Sequence, residues 1–136
     1  YNNCVAYDNA QSGFRNADEG ATYINCVAES NTGFGFESTA ANLAQYFNCA
    51  VFDNTAGDFS IGTDPFSINI DSITGTATFF ANAAAGDFAL NGGEGADLKG
   101  IGLPFPEFPG GLTENFVDIG AAQSEGGGGA GGAFVF

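Results

Sequence analysis

The sequence predicts an all-β solenoid, a chain wound into stacked coils, and three observations carry that prediction. The dipeptide Asn-Cys occurs as Asn3-Cys4, Asn25-Cys26 and Asn48-Cys49, at steps of 22 and 23 residues. Its flanks align as well: Tyr1-Asn2-Asn3-Cys4-Val5-Ala6 lies beside Tyr23-Ile24-Asn25-Cys26-Val27-Ala28 and Tyr46-Phe47-Asn48-Cys49-Ala50-Val51. A second asparagine follows each cysteine by five residues, at Asn9, Asn31 and Asn54, and then come Gly13-Phe14, Gly33-Phe34, and Gly57 with Phe59. Self-similarity at a fixed period of this size marks stacked units, because each unit buries its apolar face only against the next.

Residues 1–20 are the first coil, which the sequence enters mid-repeat at Tyr1, so that the repeat starts with a bare end. Residues 21–42 are the second coil and residues 43–62 most of the third. Each holds short runs rich in Tyr, Ile, Val, Phe and Thr, broken by Asn or Gly. Such runs read as strands of three to five residues joined at bends where Asn or Gly takes a positive φ. A degraded fourth coil is expected at Phe66-Ser67-Ile68-Asn69-Ile70-Asp71-Ser72, with Asn69 21 residues after Asn48 and Ile70 in the cysteine position. The second asparagine position then falls on Gly75.

Phe79 and Phe80 begin a further strand. Gly86-Asp87-Phe88-Ala89-Leu90 repeats Gly57-Asp58-Phe59-Ser60-Ile61 at 29 residues, a loosened spacing that reads as the stack closing. From Asn91 to Pro109 the chain is Gly/Pro-rich, and prolines cannot donate to a ladder, so irregular cover across an end or flank is expected. Phe116-Val117-Asp118-Ile119-Gly120-Ala121 reads as a last strand. The organisation is thus about four to five coils with a closing segment over residues 1–125. A Gly-rich tether follows over residues 126–136, ending in the apolar tail Phe134-Val135-Phe136.

Stacked coils place equivalent residues about 4.8 Å apart. At that spacing asparagine amides can bond the asparagines above and below, so Asn3, Asn25, Asn48 and Asn69 make one expected ladder and Asn9, Asn31 and Asn54 another. Cys4, Cys26 and Cys49 then point inward as small hydrophobes. Ala6, Ala28, Val51 and Ser72 form the next inward file, and Phe14, Phe34 and Phe59 a third. Tyr1, Tyr23 and Tyr46 are read either as an outward aromatic column or as rings partly buried under a loop. No metal or cofactor is expected. A zinc site needs ligands converging on one point, which a column of thiols does not offer, and a nucleophilic cysteine needs a base where the chain has no His. Three cysteines cannot form a complete internal disulfide framework, and the stacking distance is long for a bridge.

The charge balance narrows the partners. Two cations, Arg15 and Lys99, stand against 16 carboxylates for a net charge of −14. Nucleic acid and anionic membrane surfaces are bound through Lys and Arg, so neither is an expected partner. No apolar run approaches the roughly 20 residues needed to span a bilayer.

The Asn-punctuated coils resemble the right-handed parallel β-helix proteins of the pectate-lyase-like superfamily. The stretch Phe80-Ala81-Asn82-Ala83-Ala84-Ala85-Gly86-Asp87-Phe88-Ala89-Leu90 with Val117-Asp118-Ile119-Gly120-Ala121 is similar to the C-terminal end of secreted and surface β-helix repeat proteins. The resemblance covers roughly residues 1–125 and implies a right-handed parallel β-helix at an extracellular, cell-surface or virion-surface location. It does not choose an activity, because the fold hosts lyases, hydrolases, tailspikes and adhesins.

Lyases of that fold use a Lys or Arg base with acidic Ca²⁺ ligands, and neither Arg15 nor Lys99 shows an acidic cluster beside it in sequence. Hydrolases of that fold use grouped Asp. Asp8 and Asp53 share a repeat position with Ser30 between them, leaving them about two coils or roughly 10 Å apart, too far for a glycosidase pair. Catalysis is therefore not expected. The expected function is a structural subunit of an extracellular filament, a homopolymer joined head to tail through Tyr1 at the bare coil and the tail Phe134, Val135 and Phe136. The alternative is a carbohydrate- or receptor-binding segment of a larger surface protein or phage tail fibre, with glycans as partners of exposed aromatics.

Overall fold

A computed structural model describes residues 1–17, 20–39, 44–60, 68–102 and 119–120. The chain is all-β, with no α-helix among the described residues, and its strands are numbered along the chain. Three parallel sheets hold ten of them. The first sheet orders β1 (Val5–Tyr7), β4 (Val27–Glu29), β7 (Ala50–Phe52) and β10 (Ile73–Thr74). The second orders β2 (Phe14–Asn16), β5 (Phe34–Ser38) and β8 (Gly57–Ser60), and the third β3 (Ala21–Ile24), β6 (Ala44–Phe47) and β9 (Ile68–Ile70). Each strand pairs with the one three places on, so the sequence repeat becomes a parallel stack. The expectation of an all-β chain with parallel stacked strands holds.

The register is uniform. Ala6, Ala28, Val51 and Thr74 pair in succession, as do Phe14, Phe36 and Phe59, and Tyr23, Tyr46 and Asn69. Asn16 pairs with Ser38, a step of 22, whereas Ala21 pairs with Ala44, a step of 23. The extra residue therefore enters between Ser38 and Ala44.

The bends between strands follow from backbone chemistry. Asn3, Asn25, Asn48 and Asp71 all have φ between 47° and 53°, and Asp8, Ser30 and Asp53 between 53° and 58°. A side chain at positive φ crowds its own carbonyl, and Asn and Asp tolerate this best because their short polar groups bond locally. The fourth member of the first column is thus Asp71, not Asn69. Asn69 pairs with Tyr46, and Ile70 pairs with Phe47 rather than following Cys49. The expected step of 21 kept the letter Asn, whereas the structure keeps the step of 23 and puts Asp at the bend. Thr74, not Ser72, follows Val51. In the phenylalanine file Phe36 replaces the expected Phe34, because only Phe36 lies 22 residues beyond Phe14 and 23 before Phe59.

One apolar cluster lies inside the three sheets, built from Tyr23, Cys26, Ala28, Phe36, Ala44, Tyr46, Cys49 and Val51. A second lies on the outer face of the first sheet, where Val27 and Ala50 meet Phe79, Phe80, Leu90, Leu98 and Ile119. The chain beyond β10 forms this cover. β11 (Phe80–Asn82) and β12 (Asp87–Leu90) pair with each other antiparallel, joined by a 3₁₀ turn at Ala83–Ala85 and followed by another at Glu94–Leu98. The segment Gly86–Leu90, whose loosened spacing reads as the stack closing, pairs antiparallel with β11 and joins none of the parallel sheets. It folds back as a flap on the flank, and of the expected cover Asn91–Pro109 the residues from 103 on lie outside the described residues. Ile119 and Gly120 dock beside it, their N–H groups donating to Leu98 O and Asn25 O at 2.9 and 2.8 Å. Phe116–Asp118 of the expected last strand and the tail Phe134–Phe136 lie outside the described residues.

Candidate assembly surface and the inner columns

The column Asn9, Asn31 and Asn54 is a hydrogen-bonded ladder. The backbone N–H and Nδ2 of Asn9 donate to Asn31 Oδ1 at 3.0 and 2.8 Å, and the same groups of Asn31 donate to Asn54 Oδ1 at 3.1 and 2.8 Å. The remaining amide hydrogens reach back to main chain, from Asn31 to Ala6 O at 3.1 Å and from Asn54 to Ala28 O at 2.9 Å. Asn31 and Asn54 are buried, so these bonds form where water does not compete. Gly35 lets the ladder close: a Cβ there would lie 2.9 Å from Asn54 Nδ2 and 2.8 Å from Asp58 O.

The column Asn3, Asn25 and Asn48 works through its backbone instead. Asn48 Nδ2 donates to Ile101 O at 2.6 Å, and the amide of Asn3 meets no partner. What these residues share is the positive φ, so the expected amide ladder gives way to a column of bends whose main-chain N–H groups of Asn3 and Asn25 donate to Ile24 O and Phe47 O.

Cys26 and Cys49 are buried and Cys4 is half-buried, all three with free thiols. Cys26 Sγ lies 3.4 Å from Ile24 O and Cys49 Sγ 3.5 Å from Phe47 O. The interaction of the two neighbouring thiols, aided by burial, pushes Cys26 well up, whereas the same interaction draws Cys49 down against the effect of its burial. Burial, ahead of the Cys26 charge, raises Cys4. Among the described residues no three His, Cys, Asp or Glu are grouped to hold a metal ion.

The tyrosine column points inward. Tyr23 and Tyr46 are buried, and only Tyr1, 67% exposed, reaches solvent. Their rings stack at 5.2 and 5.5 Å, beside a phenylalanine stack of Phe14, Phe36 and Phe59 at 4.9 and 5.3 Å. The two stacks meet edge to face, as between Phe36 and Tyr46 at 5.4 Å, the arrangement that aromatic quadrupoles favour. Burial pushes the Tyr23 phenol up to about 12 and raises Tyr46 too.

Three surface features remain. At one end of the third sheet, β9 pairs on one side with β6, and all three of its residues are exposed, Ile68 at 40% and Ile70 at 44%. At the other end β1 and β2 have a strand neighbour on one side only among the described residues. Around the second sheet an open groove of about 390 Å³ is lined by Gln11, Ser12, Arg15, Thr32, Phe34 and Glu37. Ser12 Oγ donates to Glu37 Oε2 at 2.7 Å, and Arg15 Nε lies 3.6 Å from that oxygen. Arg15 thus has a carboxylate neighbour from the next coil, which its own stretch of sequence did not show. Lys99 follows the second 3₁₀ turn and is exposed.

Two residues that sequence reasoning missed hold the flap. Glu29 is 2% exposed, and its Oε2 accepts from the Phe79 N–H at 3.0 Å while Oε1 accepts from the Thr78 hydroxyl. Its signal was its column, where a carboxylate stands between Tyr7 and Phe52. Asn91 donates through Nδ2 to Thr78 O at 2.6 Å and accepts through Oδ1 from Gly93 and Gly95 at 2.8 and 3.0 Å. No helix among the described residues is long and apolar enough to cross a membrane. Comparison with protein families, with curated proteins and with solved structures finds no match to this chain.

Proposed function

We propose that the chain is a right-handed parallel β-helix and serves as the structural subunit of an extracellular filament, with copies joined head to tail. The observation that carries this reading is β9, the outermost strand of its parallel sheet among the described residues, whose three residues are exposed and include Ile68 and Ile70. A strand edge without a strand neighbour among the described residues, bearing apolar side chains, is a template for another strand. The opposite edges of β1 and β2 carry the same repeat, so a second copy can continue the register, its Tyr1 following Asn69 in the column that runs through Tyr23 and Tyr46. Contact between two different edges of identical subunits does not close and so propagates. The tail 126–136, with Phe134, Val135 and Phe136, is the proposed reinforcing segment across the junction.

Negative-stain microscopy of the purified chain tests this, with rods expected for the parent. Ile70→Lys places a charge on the edge and is expected to leave single particles, and deletion of residues 126–136 to shorten or abolish the rods. A parent that stays monodisperse at high concentration sinks the filament reading; full-length rods after the deletion sink the role of the tail.

A second reading, glycan binding within a larger surface protein, is favoured by the groove around Phe34, where an aromatic ring stands among the polar groups of Gln11, Ser12, Arg15 and Glu37. The tyrosine column cannot serve it, since Tyr23 and Tyr46 are buried.

A further inference from the structure

The flap is tied down by two carboxylates whose environments are opposed. Glu29 reaches it from inside, out of β4 in the sheet beneath, and it is almost wholly buried. Glu94, on the flap's own second 3₁₀ turn, reaches back to the link on the solvent side, where its Oε1 and Oε2 accept from the Thr76 hydroxyl and N–H at 2.5 and 3.2 Å. Both grip the four-residue link Gly75–Thr78 through which the chain leaves the first sheet. The link has no slack: a Cβ on Gly75 would lie 2.5 Å from the Phe79 ring, and one on Gly95 would lie 2.2 Å from Phe79 O.

We propose that Glu29 and Glu94 form a two-carboxylate clasp that holds the flap, residues 78–98, shut within a band of mildly acidic pH and loosens it on either side. The geometry allows Glu29 to work as the neutral acid. Its hydroxyl then donates to Thr78 Oγ1, which already accepts from the Phe80 N–H at 3.3 Å, while its carbonyl oxygen keeps the Phe79 N–H. Neutral Glu29 leaves neither of its oxygens without a partner, whereas ionised Glu29 is a buried charge, which is costly unless paired. The charged groups on the elements around it give little help: Asp8 and Asp53 at the neighbouring bends, Asp87 on β12, Glu94 and Asp97 on the second 3₁₀ turn, and Lys99 just beyond it. Tyr7 on β1 is the other titratable neighbour, with its ring against Phe88.

The signs follow from the two environments. Burial, aided by the charge of Asp53, raises Glu29 above its ordinary 4.5. Its contribution to the closed flap is complete below that ordinary value and is lost as pH rises through the raised one. Glu94 is held below 4.5 by the Thr76 donors. Its contribution is complete above 4.5 and is lost as pH falls through the lowered value. The flap is therefore tightest between the two folded-state values. Opening it uncovers the outward residues Val5, Val27, Ala50 and Ile73 of four adjacent strands.

Amide hydrogen exchange of Phe79, Phe80 and Asn91 across pH, expressed as protection factors in the unassembled chain, tests the clasp apart from any filament. A bell is expected, with protection falling by about threefold or more on each side. Glu29→Gln, whose amide reproduces the neutral acid, removes the alkaline limb and keeps the acid one, and Glu94→Gln removes the acid limb. Should Glu29→Gln fail to fold, a carboxyl ¹³C titration of the parent decides the same point. A flat profile, an alkaline limb surviving in Glu29→Gln, or a Glu29 midpoint at or below 4.5 overturns the proposal.

Discussion

Asn31 is the middle rung of an asparagine ladder in which side chains bond side chains, and it serves two neighbours at once. Truncating it strands the amide and backbone N–H of Asn9, half the partners of Asn54 Oδ1, and Ala6 O. Buried polar groups left unpaired cost about 1–3 kcal/mol each, with much of the exposed Asn9 loss recovered from water. Asn31→Ala is therefore expected to lower unfolding free energy by about 2–4 kcal/mol in a denaturant titration. A loss below about 1 kcal/mol would show that the ladder only marks turns. This ladder was legible because its three rungs keep both letter and step. The first column was legible only in part, since Asp71 continues it under another letter, Asp and Asn sharing tolerance of positive φ. The direction of the tyrosines was not legible at all. In Ala21-Thr22-Tyr23-Ile24 the apolar residues fall on both faces, so an alternation of period two cannot say which side is inside.

At the scale of elements, the first sheet is the unusual one, because both of its faces are covered. Ala28 and Val51 face the inner cluster while Val27 and Ala50 face the flap. That explains why β4 reads Val-Ala-Glu with all three residues buried. The flap itself owes its shape less to strand pairing than to Asn91, which bonds Thr78 O, Phe80 O and the N–H groups of Gly93 and Gly95. Asn91→Ala is expected to raise exchange of the Phe79, Phe80 and Leu98 amides by at least tenfold while the amides of β4 to β6 keep their protection. Equal loosening throughout would mean that flap and coils unfold as one unit. None of this stood out in sequence, because an antiparallel pair packed on a flank lies outside the repeat that organises everything before it. The two Gly-Asp-Phe stretches 29 residues apart show the same local strand chemistry serving two different pairings, parallel in β8 and antiparallel in β12.

For the whole molecule, the stack lengthens by a uniform step, and the net charge of −14 makes separate copies repel one another in solution. Regular stacking also makes most of the chain intolerant of added length. One more residue between Asn31 and β5 would carry Phe36 out of its column while Asn31 holds its own, setting the two columns against each other. The passage from Asn16 to Ala21 and that from Ser38 to Ala44 differ by one residue, yet the strands on both sides stay in register. The corner between the second and third sheets is thus where this architecture absorbs length, and it is the natural place to graft a foreign peptide. A Gly-Ser pair inserted after Thr39 is expected to shift the thermal midpoint by no more than about 3 °C, whereas the same pair after Thr32 should prevent cooperative unfolding. Equal damage at both sites would show that the corner has no such freedom. If it has, each copy could display a loop of chosen length at one fixed corner, and a polymer of copies would carry that cargo at a regular axial spacing.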